Sequence, residues 1–197
     1  KIPDGNRVTN TRFQEMDFKA GIGYSNAKFS STLRYNYNNL DVGIPEDGIA
    51  DQTTTKKTTF PKQEVFSNLF SLNNTLFFSD SKLDVNLGYI QNDRSEFEDS
   101  NVAVLHMVLK TFDYNVKYYL PKLGKVETIV GVQGMSQENK NLGEEFLIPN
   151  ATTNDFGVFG TGIYDWGSNS LQAGLRFDYR KLVSEENGIA GEEGYFE

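Results

Sequence analysis

Ten charged side chains recur at alternate positions of otherwise regular segments, and they are the residues best placed to do chemistry in water. They carry both signs and share one phase of the alternation: Asp17, Lys19, Arg34, Asp84, Asp113, Lys117, Glu127, Arg176, Asp178 and Arg180. For any single member, a solvated ion pair between neighbouring strands is enough to explain the charge. As a set they predict a water-exposed polar wall, because a dry core does not hold ten charges.

Residue types suited to catalysis or metal binding are scarce. The chain has no Cys and one His, so neither a thiolate site nor a site built from several His side chains can form within it. His106 lies in the apolar run 102–109, which favours a packed or interfacial imidazole over a ligand. No nucleophile motif accompanies it, and we expect no catalytic, cofactor-binding or metal-binding residues. The net charge of −8 argues against a nucleic-acid partner, which requires a basic surface.

Eight alternating segments position the ten charges. Apolar and polar residues alternate with the period of a β-strand, which predicts strands at about 12–24, 28–38, 64–78, 82–91, 102–120, 125–137, 155–166 and 170–181. Short turns join these strands into four hairpins at one end, and long polar loops at 39–62, 92–101 and 138–153 join them at the other.

The two phases of the alternation indicate two media, since one is apolar and aromatic and the other carries charges, amides and glycines. The strands reach the about 9–11 residues that cross a bilayer at a tilt, whereas no window has the about 18 apolar residues of a membrane helix. Aromatic residues near the strand ends are typical of interfacial girdles: Tyr24, Phe29, Phe78, Tyr118 and Trp166 by the turns, and Tyr37, Tyr89 and Tyr179 toward the loops.

The pattern therefore predicts an all-β fold of antiparallel, up-and-down transmembrane β-barrel strands around a wet interior. Short turns at one end and long loops at the other are typical of outer-membrane barrels. Alternation alone leaves a soluble sandwich or lipocalin-like barrel open, with the apolar face as its core.

Several stretches resemble the barrel of TonB-dependent outer-membrane receptors, in the form found in Bacteroidetes. They are GVQGM at 131–135, QENKN at 137–141, IPN at 148–150, DFGVF at 155–159 and GLRFDYR at 174–180, in this order and spacing. The stretch YNYNN at 35–39, followed by GIPE at 43–46, is similar to an earlier loop entry in the same barrels. The resemblance covers about residues 11–180.

The resemblance implies a 22-stranded barrel in the outer membrane of a Gram-negative bacterium. In that family the barrel encloses an N-terminal plug, and the TonB energy-coupling complex drives uptake of a scarce nutrient such as siderophore-iron, haem, a vitamin or a glycan. The chain has neither a plug domain nor a leader, so we expect residues 1–197 to be one β-barrel segment of a longer mature protein.

The implied partners are outer-membrane lipid, the missing plug and remaining barrel strands, the TonB complex and an unidentified nutrient. We expect no enzymatic activity and no cofactor. The alternatives are a small eight-stranded outer-membrane barrel with a structural or adhesin role, and a soluble β-domain that binds carbohydrate.

Overall fold

The computed structural model describes residues 7–8, 10–45, 52–53 and 55–184. Eight long antiparallel strands form one up-and-down sheet in this part of the chain, which confirms the predicted all-β class. The described residues include no helix with the length and apolar content of a membrane span. The strands are β1 (Phe13–Ser25), β2 (Phe29–Gly43), β3 (Lys62–Phe77), β4 (Lys82–Phe97), β5 (Leu105–Tyr119), β6 (Val126–Asn141), β7 (Ala151–Trp166) and β8 (Asn169–Ser184).

Each strand pairs with its neighbours along the chain, so the sheet order is the sequence order. The strands β1 and β8 are the two edges and do not pair with each other in the described residues, so the sheet is open rather than closed. Four tight connections lie at one end, here called the turn end. In the first, Asn26 Oδ1 accepts hydrogen bonds from the Lys28 and Phe29 amides at 2.8 and 2.9 Å, a side-chain contact that stabilises a reversal.

The opposite end, here called the loop end, differs from the prediction. The strands β2, β4 and β6 continue to Gly43, Phe97 and Asn141, beyond the predicted ends at 38, 91 and 137. The strand β7 begins at Ala151 instead of 155, and β5 begins at Leu105 instead of 102. Near the loop end the face that is apolar in the middle of the strands becomes polar, while apolar residues such as Leu40, Val65 and Met107 lie on the opposite face. The predicted alternation therefore ends although backbone pairing continues.

A further two-residue pairing joins Arg7–Val8 to Gln52–Thr53, which the sequence pattern does not predict. The predicted loop 39–62 includes positions 46–51 and 54, the first of which is the last residue of the GIPE stretch. Those positions lie outside the described residues.

Successive strands are offset along their length, so the strands are tilted relative to the direction in which the sheet extends. One row of paired residues runs from Gly21 in β1 to Arg180 in β8. The turn end of β1 lies four residues from this row, at Ser25, and the turn end of β8 lies eleven residues from it, at Asn169. The stagger is about one residue per strand, which with a rise of about 3.3 Å and a spacing of about 4.8 Å corresponds to a tilt of about 35°.

Candidate functional site

The cross-strand register places the apolar phases of all eight strands on one face. This apolar belt occupies alternate positions and contains no charged residue within the described strands. It comprises Met16–Tyr24 in β1, 29–37 in β2, 66–76 in β3, 83–89 in β4, 112–118 in β5, 126–134 in β6, 156–166 in β7 and 171–179 in β8.

Both borders of the belt follow the stagger of the strands. Relative to the row from Gly21 to Arg180, the loop-end border moves from five residues beyond the row at Met16 to one residue short of it at Tyr179. A belt of about nine residues per strand, at a rise of about 3.3 Å and a tilt of about 35°, is about 25 Å tall. The belt therefore keeps a similar height across the sheet, with 7 to 11 residues in each strand.

The belt is not covered by any other part of the described chain. Leu33 is 44% exposed and Val130 is 42% exposed, although both lie on strands that are paired on both sides. Belt residues of the inner strands, such as Phe70 and Phe112, are also exposed. A contiguous apolar surface of this kind marks contact with another apolar phase or with a partner.

Aromatic side chains lie at both borders of the belt, as the sequence predicts. At the turn end, the rings of Tyr164 and Trp166 stack at 5.3 Å, and those of Phe78 and Tyr118 meet edge-on at 6.5 Å. The Tyr118 hydroxyl donates a hydrogen bond to Ser81 Oγ at 3.0 Å. An aromatic row also crosses the belt nearer its loop end, through Tyr35, Phe70, Tyr89 and Phe112.

The opposite face carries all ten predicted charges and is here called the polar wall. The register places them on one side of six strands but does not gather them into one cluster. That they line a lumen stays a prediction.

Several of the ten charged side chains form ion pairs or hydrogen bonds within the sheet. Arg176 pairs with Asp178 at 2.5 Å, and Arg180 donates to both carboxylate oxygens of Asp155 at 2.7 and 2.6 Å. On β4, Asp84 accepts hydrogen bonds from Thr75 at 2.8 Å and from Lys82 at 3.3 Å.

Glu127 pairs with Lys122, which lies in the turn before β6, at 2.7 Å. This hydrogen bond raises the pKa of Lys122 above its ordinary value, with a further contribution from the charge of Glu127. Asp17 Oδ1 accepts a hydrogen bond from the side-chain amide of Asn38 at 3.0 Å. The charges of β6 and β8 are thus largely neutralised within the sheet.

Four of the ten charges make no hydrogen bond or ion pair with another described residue: Lys19, Arg34, Asp113 and Lys117. A row of amides lies among them, through Asn73, Asn86, Asn115 and Gln133 of four adjacent strands. Asn115 donates to Gln133 at 3.2 Å, while its own Oδ1 atom is buried without a partner. This part of the polar wall keeps unused capacity for polar contacts.

A shallow concavity of about 630 Å³ lies on the polar wall between β5 and β8. Asp113, Asn115, Gln133, Asp155 and Arg176 contribute to its lining. Within the part of the chain that the structure describes, no three acidic, His or Cys side chains are grouped so as to hold a metal ion. The concavity therefore offers hydrogen bonds and paired charges to a polar molecule.

Side chains fasten the loop-end connections to the sheet. Asn10 donates to the carbonyl oxygens of Ile44 and Pro61 at 3.0 and 2.5 Å and accepts from the Thr59 amide at 3.1 Å. Asn10 adopts a φ of 51°, a conformation that Asn tolerates better than most residues. Arg12 Nε donates to the Thr55 carbonyl at 2.6 Å.

A second set fastens the connection between β6 and β7. Asn141 Nδ2 donates to the Ile148 carbonyl at 2.7 Å, and Asn139 Nδ2 donates to the Pro149 carbonyl at 3.1 Å. The Glu145 amide donates to the Val104 carbonyl at 2.9 Å, which joins this connection to the one before β5. Buried side chains therefore fasten the described parts of both connections to the sheet.

Sequence reasoning missed Arg94, since it assigned residues 92–101 to a loop. The structure continues β4 through this residue and places its side chain on the polar wall, opposite Val65 and Met107. The signal for this continuation is weak: the polar phase of Asp84, Asn86 and Gly88 is interrupted by Ile90 before Asn92 and Arg94, and the apolar phase stops at Tyr89.

His106 lies on the other face, beyond the loop-end border of the belt. Its Nε2 atom lies 3.0 Å from Asp93 Oδ1, and both side chains are about one-third exposed. The imidazole thus contacts a carboxylate at the surface, and its position at an interface stays a prediction. Neither side chain of this pair bonds to a third side chain among the described residues.

The chemistry of the two faces carries the functional argument. No protein-family model matches the chain, and no curated protein matches it.

Proposed function

We propose that the chain is part of an outer-membrane β-barrel receptor of the TonB-dependent kind, which takes up a scarce nutrient. The observation that carries this proposal is the apolar belt. Its height of about 25 Å matches the apolar band of outer-membrane barrels, and its tilt of about 35° lies in their range.

The position of the belt along the strands also supports a bilayer. On the same face the first residue past the loop-end border is polar in all eight strands, as in Gln14, Asn39 and Glu64. A soluble β-domain would bury its apolar face in a core, whereas this face is uncovered by the described chain. The proposal therefore places lipid against the belt and water against the polar wall.

The open edges favour a larger barrel over the small one. Eight strands close a barrel by themselves only when the first pairs with the last, and β1 and β8 do not do so in the described residues. Unpaired edges of long strands invite pairing with further strands. In the proposed receptor those strands belong to the rest of a 22-stranded barrel, and the polar wall faces the plug and the passing solute.

Cell fractionation with an antibody against residues 64–141 tests this proposal. A band several times heavier than the 22.2 kDa of this chain, found in the outer-membrane fraction, is the expected result. An outer-membrane band near 22 kDa would leave the small barrel and overturn the receptor. A band in the aqueous fraction would overturn both and favour the soluble carbohydrate-binding domain.

Single-cysteine labelling tests the orientation of the two faces, because the chain itself contains no Cys. Cysteines placed in turn at positions 83–90 of β4 are treated in membranes with a water-soluble or a lipid-soluble maleimide. We expect the lipid-soluble reagent at odd positions, such as Val85 and Leu87, and the water-soluble reagent at even ones, such as Asn86. Labelling without this alternation contradicts a membrane-spanning sheet.

A further inference from the structure

The loop end of the polar wall carries an apolar patch, which contains none of the ten predicted charges. It spans four neighbouring strands and comprises Leu40, Val42, Val65, Leu69, Ile90, Leu105, Met107 and Leu109. Leu105, at one end of the patch, is already covered by the chain: it is 3% exposed and pairs with Glu145 of the connection after β6. The other members of the patch, such as Val65 and Met107, are half-buried. This patch lies on the face opposite the belt, so lipid contact does not account for it.

Arg94 lies within this apolar patch. Its directly opposite neighbours are Val65 on β3 and Met107 on β5. Its Nε atom is buried and has no hydrogen-bond partner. A cationic group that is partly withdrawn from water among apolar side chains is costly unless an anion pairs with it.

The polar residues next to Arg94 on the same face do not supply that anion. Glu96 accepts a hydrogen bond from Gln63 at 2.6 Å and makes no ion pair with Arg94. On the other side, Asn92 donates to Ser67 Oγ at 2.8 Å. The guanidinium therefore retains donors for a further group, and the donors of a guanidinium match a carboxylate in both charge and geometry.

We propose that Arg94 and this apolar patch bind a carboxylate that is attached to a hydrocarbon or aromatic body. The carboxylate accepts hydrogen bonds from the guanidinium, and the apolar body covers Val65, Met107 and their neighbours. This inference rests on the proposed function and deepens it, since it assigns the solute at the loop end of the wall to the amphiphilic carboxylates. The same chemistry could come from an acidic segment of the protein, which the test separates.

Equilibrium dialysis with decanoate tests the assignment on the full-length protein in phosphatidylcholine nanodiscs, with empty nanodiscs as the blank. We expect saturable binding of decanoate, and a loss of affinity of about tenfold or more in Arg94→Gln, because a charge-assisted hydrogen bond is removed. Arg94→Lys keeps the charge and restores part of the affinity. Lys181→Gln is the matched control, since it removes one positive charge from the other face.

Decanol, which has the same chain length and no charge, distinguishes the guanidinium from the apolar patch. Its binding is expected to be the same in the wild type and Arg94→Gln. Equal decanoate affinity in the wild type and Arg94→Gln overturns the site. So does a wild type that binds no decanoate while Arg94→Gln lowers its melting temperature, since a carboxylate of the protein then occupies Arg94.

Fractionation reports on the proposed function separately from these binding data. A protein that resides in the outer membrane but binds no decanoate retains the receptor proposal and loses this site. A protein found in the aqueous fraction loses the receptor proposal, and dialysis in buffer without nanodiscs then measures the site directly.

Discussion

The apolar belt and the loop end of the sheet are stabilised in opposite ways. The belt consists of regular strands whose apolar face is not covered by the described chain, as the exposure of Phe70 and Phe112 on inner strands illustrates. At the loop end several polar side chains are buried, and Asn10, Asn139 and Asn141 each donate hydrogen bonds to backbone carbonyls of the connections. The belt relies on its surroundings, whereas the loop end is held by contacts of its own.

A globular core both buries apolar surface and satisfies buried hydrogen-bonding groups, whereas in this sheet the two tasks fall to different regions. An apolar surface stabilises a fold only when it leaves water, so the belt contributes stability in proportion to the apolar phase that covers it. The buried amides contribute in any medium, because an unmade hydrogen bond at a buried carbonyl is costly. The described parts of the connections can therefore hold a defined shape on a sheet that, in the proposed receptor, a bilayer stabilises.

The largest expected effect comes from a charge placed in the centre of the belt. Leu72 faces Leu33 and Leu87 on the neighbouring strands. We expect Leu72→Arg to destabilise the membrane-inserted state by about 2–4 kcal/mol, the cost of a cation near the bilayer midplane. The fraction of protein that resists carbonate extraction from outer membranes measures the effect.

The adjacent residue on the polar wall provides the control. Asn73 faces Thr32 and Asn86, so Asn73→Arg adds the same charge to the face that we assign to water. We expect nearly wild-type insertion from this variant. Equal losses in Leu72→Arg and Asn73→Arg would show that both faces meet the same medium and would remove the distinction between belt and wall.

A smaller, local effect is expected at the loop end. Asn141→Ala removes the hydrogen bond to the Ile148 carbonyl and leaves a partly buried acceptor unpaired, at a cost of about 1–3 kcal/mol. The connection 142–150 should open more often, while the belt stays intact. Cleavage by a glutamate-specific protease at Glu144 and Glu145 measures this opening.

Asn154→Ala is the matched control, because Asn154 is exposed and its side chain accepts a hydrogen bond from Ser136. We expect its cleavage rate to equal that of the wild type. If Asn141→Ala also impairs membrane insertion as strongly as Leu72→Arg, the two regions are coupled and the comparison fails.

The difference between the regions also explains how much the sequence could predict. Each strand of the belt has one apolar and one polar phase, so alternation locates all eight strands and places the ten charges on one face. Beyond the border of the belt that signal ends: Asn92, Asp93 and Arg94 are all polar, although β4 continues to Phe97. Backbone pairing does not depend on side-chain polarity, and the sequence pattern therefore shortened the strands.

The contacts at the loop end could not be predicted for a different reason. Asn10 bonds to residues that are 34 and 51 positions away, and nothing near Asn10 in the sequence specifies those partners. Arg94 likewise becomes notable only when the register brings Val65 and Met107 to its sides. Long-range pairing, rather than local composition, creates both features.

A still smaller effect is expected from the ion pair between Asp155 and Arg180 on the polar wall. The Arg180 side chain is 68% exposed, and pairs exposed to water are screened and contribute little. A double-mutant cycle with Asp155→Asn and Arg180→Gln measures the coupling free energy of this pair. We expect that coupling to lie within experimental error of zero. A coupling well above that error would mean that the wall excludes water here.

The smallest effect concerns a single proton at the turn end. The hydrogen bond from Lys122 to Glu127 raises the pKa of Lys122 above its ordinary value of 10.5. A raised pKa means that this pair stabilises the folded state fully below the ordinary pKa and that the contribution is lost as the pH rises through the raised one. Glu127→Gln should return the pKa of Lys122 to its ordinary value without changing insertion, as an NMR titration of the Lys122 side chain would show. An unchanged pKa in Glu127→Gln would mean that the pair is not formed in solution, and the turn would then be held by its backbone hydrogen bonds between Leu123 and Val126 alone.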